Sequence, residues 1–486
     1  MAAALLALAL LAACGGSRHA APPATTALLR RPPTPAPPPV AHKRALLVVT
    51  VIDGDRWTRL PGAFVRLWGR SARTDRHGVA EIRVPWRRPL PVSVSVRGYG
   101  ARTVYADFRT HRKVTVRVYR PELQWPLYGV NGTRTQSQDF IRMRPPFHIV
   151  WAVPMGGLIE FPAVVSDGVA YIGNYSGTVR AISMLRGTVL WRHDTARTKM
   201  ASSPAVVGRE LVYHGMNGDV FVLDRATGRL LWHDDVGSPI ESSPIVVGGI
   251  DYFGAWNGRM YALDLRTRRL RWSRELGAKI TSSASIAGGM LYIGDYAGRL
   301  WALSPRTGAT RWVGRVNGRI YGTPAVAGGR VFAPSSTGGS LTAFTTGGRE
   351  LWRFTAGSYV YSSPAVSGGR VFVGSYNGVF YALSAASGRV LWEVGTGGAI
   401  SGAAVVVDGV AYAGSFAHRI VGVDALSGRV LVRFPHGQYV PVSGDGMQLL
   451  FHGYSTLFAV QPLVRHHEQP VTRVTAIHRP LRHRER

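Results

Sequence analysis

Basic and aromatic side chains recur at matching intervals between residues 175 and 416, and together they could bind a ligand. The residues concerned are Lys199, Lys279, Arg319 and Tyr359, then Tyr175, Trp256, Tyr296, Tyr376 and Phe416, and finally Glu241, Tyr321 and Tyr361. Cations beside aromatic rings can hold a peptide, a sugar chain or an acidic polymer. The alternative is that each ring only packs on the neighbouring part of the fold.

The sequence contains no arrangement of residues that predicts catalysis. It has no His-Glu-x-x-His motif, and it singles out neither a carboxylate pair nor a Ser-His-Asp set. The one cysteine, Cys14, excludes an intramolecular disulfide and a zinc site built on several cysteines. We therefore expect no catalytic residues, no metal and no cofactor.

Internal repeats predict the elements that position these side chains. Tryptophans recur every 40 or 41 residues, and Val432 stands in the eighth place of the series Trp151, Trp191, Trp232, Trp272, Trp312, Trp352 and Trp392. Each unit also has hairpin signals such as Trp256-Asn257-Gly258. Four strands per unit indicate the blades of a β-propeller, in which the repeated tryptophans pack between blades.

The two ends of the repeat region predict how the ring closes. The strand at 148–153 lacks preceding partners, whereas the strands at 439–442, 449–452 and 457–460 lack a fourth. We expect them to join as an eighth blade, within a propeller of residues 121–463. The loops that enter each blade and the hairpins between its second and third strands then meet at one face, which brings the basic and aromatic residues together around the channel mouth.

The repeats resemble those of a known family. The pattern Val222-Leu223-Asp224 to Thr227-Gly228 and Trp232, with the leader Gln124-Trp125-Pro126, is similar to the tryptophan-docking repeat of PQQ-type propellers. In the dehydrogenases of that family the resemblance implies a vicinal disulfide over the quinone and a calcium site of Glu, Asn and Asp. A lone cysteine excludes that disulfide, and turn capping accounts for repeat-turn aspartates such as Asp224, Asp264 and Asp424. The resemblance also implies a functional analogy with the propeller lipoprotein of the outer-membrane barrel-assembly machinery.

The N-terminus predicts export and a lipid anchor. Residues 2–13 are an unbroken apolar run that is too short to span a bilayer and has the length of a signal peptide core. The run ends in Leu11-Ala12-Ala13-Cys14-Gly15. This sequence resembles the lipobox of bacterial lipoproteins, which implies lipid attachment at Cys14. We expect a signal peptide at 1–13, a proline-rich stalk at 14–43 and a basic disordered tail at 464–486. The chain would then be anchored on the extracytoplasmic side of a bacterial membrane.

Residues 44–120 predict a small antiparallel β-sandwich ahead of the propeller. Short runs alternate with period two, and turns such as Leu60-Pro61-Gly62 and Asp75-Arg76-His77-Gly78 separate them. The segment resembles the carboxypeptidase regulatory-like domain, which implies a spacer or adhesion module. A calcium site built on Asp53, Asp55 and Asp75 is the alternative to turn-forming aspartates.

Charge and composition bound the partners. The chain has 486 residues with 58 Lys+Arg against 27 Asp+Glu, a formal net charge of +31. The basic residues are spread over every repeat without a nucleic-acid-binding motif, so no specific nucleic-acid partner is predicted. The leading hypothesis is a membrane-tethered, non-catalytic scaffold that binds a protein or an anionic cell-envelope polymer through one propeller face. A divergent PQQ-dependent oxidoreductase and electrostatic adhesion to wall polymer or lipid are the alternatives, and the oligomeric state stays open.

Overall fold

The computed structural model describes residues 44–85, 90–106, 112–196 and 198–463. In this part of the chain the regular structure is β-strand, apart from a short 3-10 helix at Pro121–Leu123. The predicted all-β class is confirmed. The predicted signal peptide, Cys14, the stalk and the basic tail lie outside the described residues.

Seven strands form the N-terminal sandwich. They are β1 (Arg44–Asp53), β2 (Phe64–Leu67), β3 (Arg70–Arg73), β4 (Val79–Pro85), β5 (Leu90–Ser95), β6 (Arg102–Ala106) and β7 (Lys113–Val118). One sheet has the order β4-β1-β7 and the other β3-β2-β5-β6. Alternate residues of β1, such as Val49 and Val51, share a fully buried core with Val65 and Val92 of the other sheet, as period-two patterning requires.

The expectation of a wholly antiparallel sandwich was wrong for one pair of strands. β7 runs parallel to β1, with Val49 opposite Val114 and Val51 opposite Val116. A parallel pair needs a long crossover, and the intervening strands β2 to β6 supply it. Strand β3 escaped the sequence pattern because its Arg-Ser-Ala-Arg sequence has no fully buried position.

Seven consecutive blades follow a leader at residues 124–138, which ends in β8 (Ser137–Gln138), and strand β9 (Phe147–Pro154). Each blade has four strands of its own, and β8 adds a fifth strand to the sheet of the seventh blade. Blades one to four consist of β10 (Val164–Ser166), β11 (Val169–Gly173), β12 (Thr178–Ser183) and β13 (Val189–Asp194); β14 (Ala205–Val207), β15 (Glu210–His214), β16 (Asp219–Asp224) and β17 (Leu230–Asp235); β18 (Ile245–Val247), β19 (Ile250–Gly254), β20 (Arg259–Asp264) and β21 (Arg269–Glu275); β22 (Ser285–Ala287), β23 (Met290–Gly294), β24 (Arg299–Leu303) and β25 (Thr310–Arg315). Blades five to seven consist of β26 (Ala325–Ala327), β27 (Arg330–Ser335), β28 (Ser340–Thr345) and β29 (Glu350–Thr355); β30 (Ala365–Ser367), β31 (Arg370–Gly374), β32 (Val379–Ser384) and β33 (Val390–Gly395); β34 (Val405–Val407), β35 (Val410–Ser415), β36 (Arg419–Asp424) and β37 (Val430–Pro435).

The eighth blade joins the two ends of the repeat region, which confirms the predicted closure. Its strands are β38 (Val442–Gly444), β39 (Leu449–His452) and β40 (Thr456–Pro462), and β9 supplies the fourth. Trp151 lies opposite Ala459 in this pairing. The innermost strand begins at Val442 rather than at 439, because residues 439–441 belong to the loop at the channel mouth and Pro441 has no N–H for a ladder bond.

Each repeat tryptophan docks on the next blade. The indole N–H of Trp352, for example, donates to the Ala385 carbonyl 3.2 Å away, and the ring covers Gly388, where an added Cβ would lie 2.6 Å from it. Blade three departs from this pattern, since Arg268 replaces the glycine and places its guanidinium 5.5 Å from the centroid of the Trp232 ring. The prediction that these tryptophans pack between blades is therefore met by direct contacts.

The Ser-rich starts of the blades form a girdle of hydrogen bonds around the channel. The backbone N–H of Ser203 donates to the hydroxyl of Ser243 at 3.0 Å, and the N–H of Ser243 donates to that of Ser283 at 2.9 Å. The same relation continues through Thr323 and Ser363. The repeated hydroxyls thus satisfy buried N–H groups of the preceding blade, which would otherwise be costly to bury.

The leader closes one end of the channel. Its backbone hydrogen-bonds to the innermost strands of six blades at Val165, Val206, Ile286, Val326, Val366 and Val406. Arg134, which is 0% exposed, donates from this segment to the carbonyls of Ala284, Tyr128, Ser243 and Pro244. Burial lowers the pKa of its guanidinium to about 10.

Candidate functional site

The opposite end of the channel is open, and side chains from most blades line it. Tyr128 of the leader forms part of the floor, and the wall residues include Glu160, Glu241, Thr281, Tyr321, Tyr361 and Tyr439. Most of them stand in the loops that enter each blade just before its innermost strand. The repeat therefore presents residues of every blade except blade two to the same opening.

Cations and aromatic rings alternate along one side of the rim. The Lys279 ammonium lies 3.2 Å from the centroid of the Trp256 ring and 5.1 Å from that of Tyr296. The Arg319 guanidinium lies 5.5 Å from the centroid of the same Tyr296 ring. On blade one, Lys199 lies 5.8 Å from the ring of Tyr175. Such geometry is that of cation–π pairs.

Tyrosines continue the rim on the other side. Tyr361 packs against Tyr321 at 5.6 Å, against Tyr376 at 5.0 Å and against Tyr359 at 5.9 Å between ring centroids. Phe416 extends the series, at 5.7 Å from both Tyr376 and Tyr439. Tyr359 is 50% exposed, so part of this aromatic surface meets solvent.

Two carboxyl groups lie beneath the rim. Glu241 accepts hydrogen bonds from the Trp256 indole N–H at 3.1 Å and from the Tyr321 hydroxyl. Burial raises its pKa, although these two bonds and the charge of Lys279 oppose the rise. Burial also raises the pKa of Glu160 to about 7, with the charge of Glu241 adding to the rise and a hydrogen bond from Tyr175 opposing it. In turn, burial lowers the pKa of Lys279.

Three of the residues singled out in the sequence, Glu241, Tyr321 and Tyr361, line this mouth, and the predicted residues fall into three contact groups. Lys279, Trp256, Tyr296 and Arg319 form one contact group, Tyr321, Tyr359, Tyr361, Tyr376 and Phe416 form a second, and Lys199 with Tyr175 forms a third. Glu241 joins the first two groups through its bonds to Trp256 and Tyr321.

Sequence reasoning missed Glu160, Thr281 and Tyr439. Glu160 occupies the repeat position of Glu241, four residues before the innermost strand. The signal was hidden because blade one has Phe161-Pro162 where blade three has Ser242-Ser243, so the motif that aligns the blades is absent there.

The repeat aspartates act as turn caps. Asp224 accepts the backbone N–H groups of Ala226 and Thr227, and Asp264 and Asp424 bond in the same way within their own turns. In the described ranges, no group of three or more His, Cys, Asp or Glu side chains could hold a metal ion.

A buried His–Asp pair is not among the residues that line the mouth. His214 and Asp251 are 2.9 Å apart and both are 0% exposed, so a substrate in solution has no access to them. Across the same part of the chain that the structure covers, no helix has the length and apolar character needed to span a membrane.

Comparisons with known proteins agree with this architecture. The BamB of Moraxella catarrhalis is 19% identical over 67% of this chain and 100% of its own, with a TM-score of 0.55. The quinohemoprotein alcohol dehydrogenase of Comamonas testosteroni is 13% identical over 71% of this chain and 82% of its own, with a TM-score of 0.61. The computationally designed Ika8 protein is 18% identical over 64% of this chain and 98% of its own, with a TM-score of 0.56. Identities this low establish a shared fold only.

The sequence itself gives the family. Among curated proteins no sequence matches the chain. A family model described as outer membrane protein assembly factor BamB matches residues 148–314 and 313–438. Since these two matches together cover more than half of the 486 residues, the chain belongs to the family of the outer membrane protein assembly factor BamB.

Proposed function

We propose that this chain is an envelope-tethered, non-catalytic scaffold that engages a protein or a cell-envelope polymer through the mouth face of its propeller. The observation that carries the proposal is the set of contacts between cations and aromatic rings at the mouth, which includes the Lys279–Trp256 contact of 3.2 Å. Exposed aromatic and basic side chains in one patch are typical of recognition surfaces. The name of the family, an outer membrane assembly factor, favours a protein of the envelope as the first candidate partner.

The tether is proposed from the N-terminal sequence. Lipid attachment at Cys14 would anchor the chain on the extracytoplasmic side of a bacterial membrane, and residues 14–43 would act as a stalk. Residues 44–120 would then serve as a carboxypeptidase regulatory-like spacer. A Cys14→Ser variant should lose incorporation of labelled fatty acid and move from the membrane to the soluble fraction.

A crosslinking pull-down from native membranes tests the scaffold. Wild-type protein should capture a defined partner, whereas Trp256→Ala and Lys279→Ala should capture several-fold less. Arg306→Ala is the matched control, because Arg306 is exposed in the turn between β24 and β25 at the opposite face. Equal capture by wild type and both mouth variants would contradict the use of this face.

Electrostatic adhesion is a second candidate, favoured by the formal net charge of +31. It predicts pull-down of polyanions that disappears at about 1 M salt, where the Debye length is about 3 Å. A divergent quinoprotein oxidoreductase is the third, since a quinohemoprotein dehydrogenase shares the fold. Saturable binding of PQQ with calcium, accompanied by reduction of a dye, would replace the scaffold proposal with this one.

A further inference from the structure

The carboxyl group of Glu160 lies in the channel mouth with one oxygen unused. Its Oε2 atom is buried and makes no hydrogen bond. Among the residues that the structure describes, no lysine or arginine forms an ion pair with Glu160. Glu241, in contrast, uses both of its oxygens, toward Trp256 and Tyr321. A buried carboxylate without a full set of donors is costly, so this oxygen is available to a ligand that brings a donor.

The walls around this oxygen are aromatic. Tyr128 and Phe161 meet edge to face at 5.7 Å between ring centroids, and Tyr321 and Tyr361 meet in the same way at 5.6 Å. Tyr439 lines the same opening. The faces of such rings attract cations, and more strongly when water is excluded.

A third feature points to a donor-rich ligand of small cross-section. Thr281 lines the mouth and is only 4% exposed, and its Oγ1 atom makes no hydrogen bond. The cavity in this opening measures about 40 Å³, and a single water needs about 10–15 Å³ of such space. The space therefore suits a single head group at the end of a chain rather than a folded segment or a ring system.

The sign of the charge also separates the rim from the wall of the mouth. The cations Lys279 and Arg319 lie with the rings of Trp256 and Tyr296 at the rim, and the two carboxyl groups lie below them. An anionic polymer would gain contacts at the rim but would meet Glu160 if it entered the mouth.

We propose that the channel mouth binds the alkylammonium or alkylguanidinium end of a lysine or arginine side chain, which a partner protein inserts beside Glu160. This inference rests on the proposed scaffold function and names the chemistry of its partner. The head group donates to the unused Oε2 of Glu160 and to Thr281, and its charge lies against the tyrosine faces. The rim then contacts the surface of the partner around the inserted side chain.

Small amphiphiles test the pocket without knowledge of the partner. Full-length protein is titrated with butylammonium, butylguanidinium, 1-butanol and butyrate, and binding is followed by saturation-transfer NMR and by tryptophan fluorescence. The two cations should bind saturably and at least about tenfold more tightly than the alcohol or the acid. Glu160→Gln should remove this preference, and Glu350→Gln should keep it, because Glu350 is exposed on an outer strand and pairs with Arg353.

The wild-type comparison stands even if a variant fails to fold. Equal binding of butanol and butylammonium by wild type overturns the inference, as does an unchanged cation preference in a folded Glu160→Gln protein. The membrane pull-down separates this failure from that of the scaffold. Loss of capture in Trp256→Ala with full capture in Glu160→Gln overturns the cation pocket only. Binding of both cations without capture of any partner by wild type overturns the scaffold only.

Discussion

Trp256 separates a cation from an acid at the channel mouth: the Lys279 ammonium lies 3.2 Å from the centroid of its ring, and its indole N–H donates to Glu241 at 3.1 Å. The ring thus fixes a positive charge at the rim and a carboxyl group beneath it. Lys279 contacts the face of the ring and Glu241 accepts a hydrogen bond at its edge, so the indole has little rotational freedom. Such restriction is typical of a preformed binding surface.

The Lys279–Trp256 contact should appear as a coupling energy. The variant Lys279→Met removes the cation at similar volume, Trp256→Leu removes the ring, and the double variant removes both. We expect the sum of the two single losses of unfolding free energy to exceed the loss in the double variant by about 0.5–1 kcal/mol. This is the usual size of a partly exposed cation–π pair. Urea unfolding measures all four proteins. Strict additivity would show that the contact contributes nothing to stability.

Docking of each tryptophan on the next blade predicts a difference between two glycines with the same backbone. Gly388 and Gly369 have φ of 72° and 73°, so alanine is strained equally at both positions. An added Cβ meets the Trp352 ring at 2.6 Å in Gly388 but meets nothing within 4 Å in Gly369. Gly388→Ala should therefore destabilise the protein by about 1–3 kcal/mol more than Gly369→Ala.

Thermal and urea unfolding of the two alanine variants check this difference. Near-ultraviolet circular dichroism gives a second readout, since only Gly388→Ala should disturb the environment of Trp352. Identical unfolding midpoints would mean that the ring yields without cost and that docking does not hold neighbouring blades together.

The repeats made the ring predictable, because their period fixes both the strand count and the loops that share a face. The closure of the ring by the eighth blade followed from the same logic, since the strand at 148–153 and the last three strands each form an incomplete blade. The leader was not predictable in this way. Its hydrogen bonds to strands at Val206, Val326 and Val366 join residues more than 70 positions apart, and no periodic pattern encodes such non-local contacts.

The site residues that occupy equivalent positions in successive repeats were predictable from the sequence. Trp256 and Tyr296 stand at equivalent hairpin tips and Lys279 stands in a loop that enters a blade, and the fold places both kinds of loop at the same face. Glu160 was missed because blade one lacks the Ser-Ser-Pro start, and Tyr128 was missed because it comes from the leader. The parallel pairing of β1 with β7 was also beyond period-two patterning, which gives the buried face of a strand and not its direction.

Arg134 should be essential for holding the leader against the innermost strands of the blades. Replacement by Met keeps much of its volume but leaves the carbonyls of Ala284, Tyr128, Ser243 and Pro244 without their shared donor. We expect a loss of about 3–5 kcal/mol in unfolding free energy. Hydrogen exchange should also quicken at Val326 and Val366, whose N–H groups bond to the leader. The exposed Arg306→Met variant serves as the control, and equal exchange in both variants would contradict the role of Arg134.

Asp445 predicts a pH-dependent stability where the sandwich meets blade eight. It is 0% exposed, and its Oδ2 atom makes no hydrogen bond. Burial raises its pKa to about 7, the charge of Asp55 adds to the rise, and the N–H groups of Met447 and Gln448 oppose it. Burial likewise raises the pKa of Asp55 to about 6. Protons are therefore bound more tightly in the folded state, so stability is highest below about pH 4 for these groups and falls as the pH rises toward 7.

The variant Asp445→Asn should remove most of this dependence. Its Oδ1 atom can still accept the N–H groups of Met447 and Gln448, and an amide carries no charge to bury. Relative to wild type, we expect the variant to gain about 2–4 kcal/mol in unfolding free energy between pH 5 and pH 8. Asp424→Asn is the matched control. Hydrogen bonds from Ser427 lower the pKa of Asp424 to about 2, so its stabilising charge is present throughout this range and is lost only as the pH falls toward 2. An Asp445→Asn effect that is the same at pH 5 and pH 8 would show that this carboxyl group is not protonated in the folded protein.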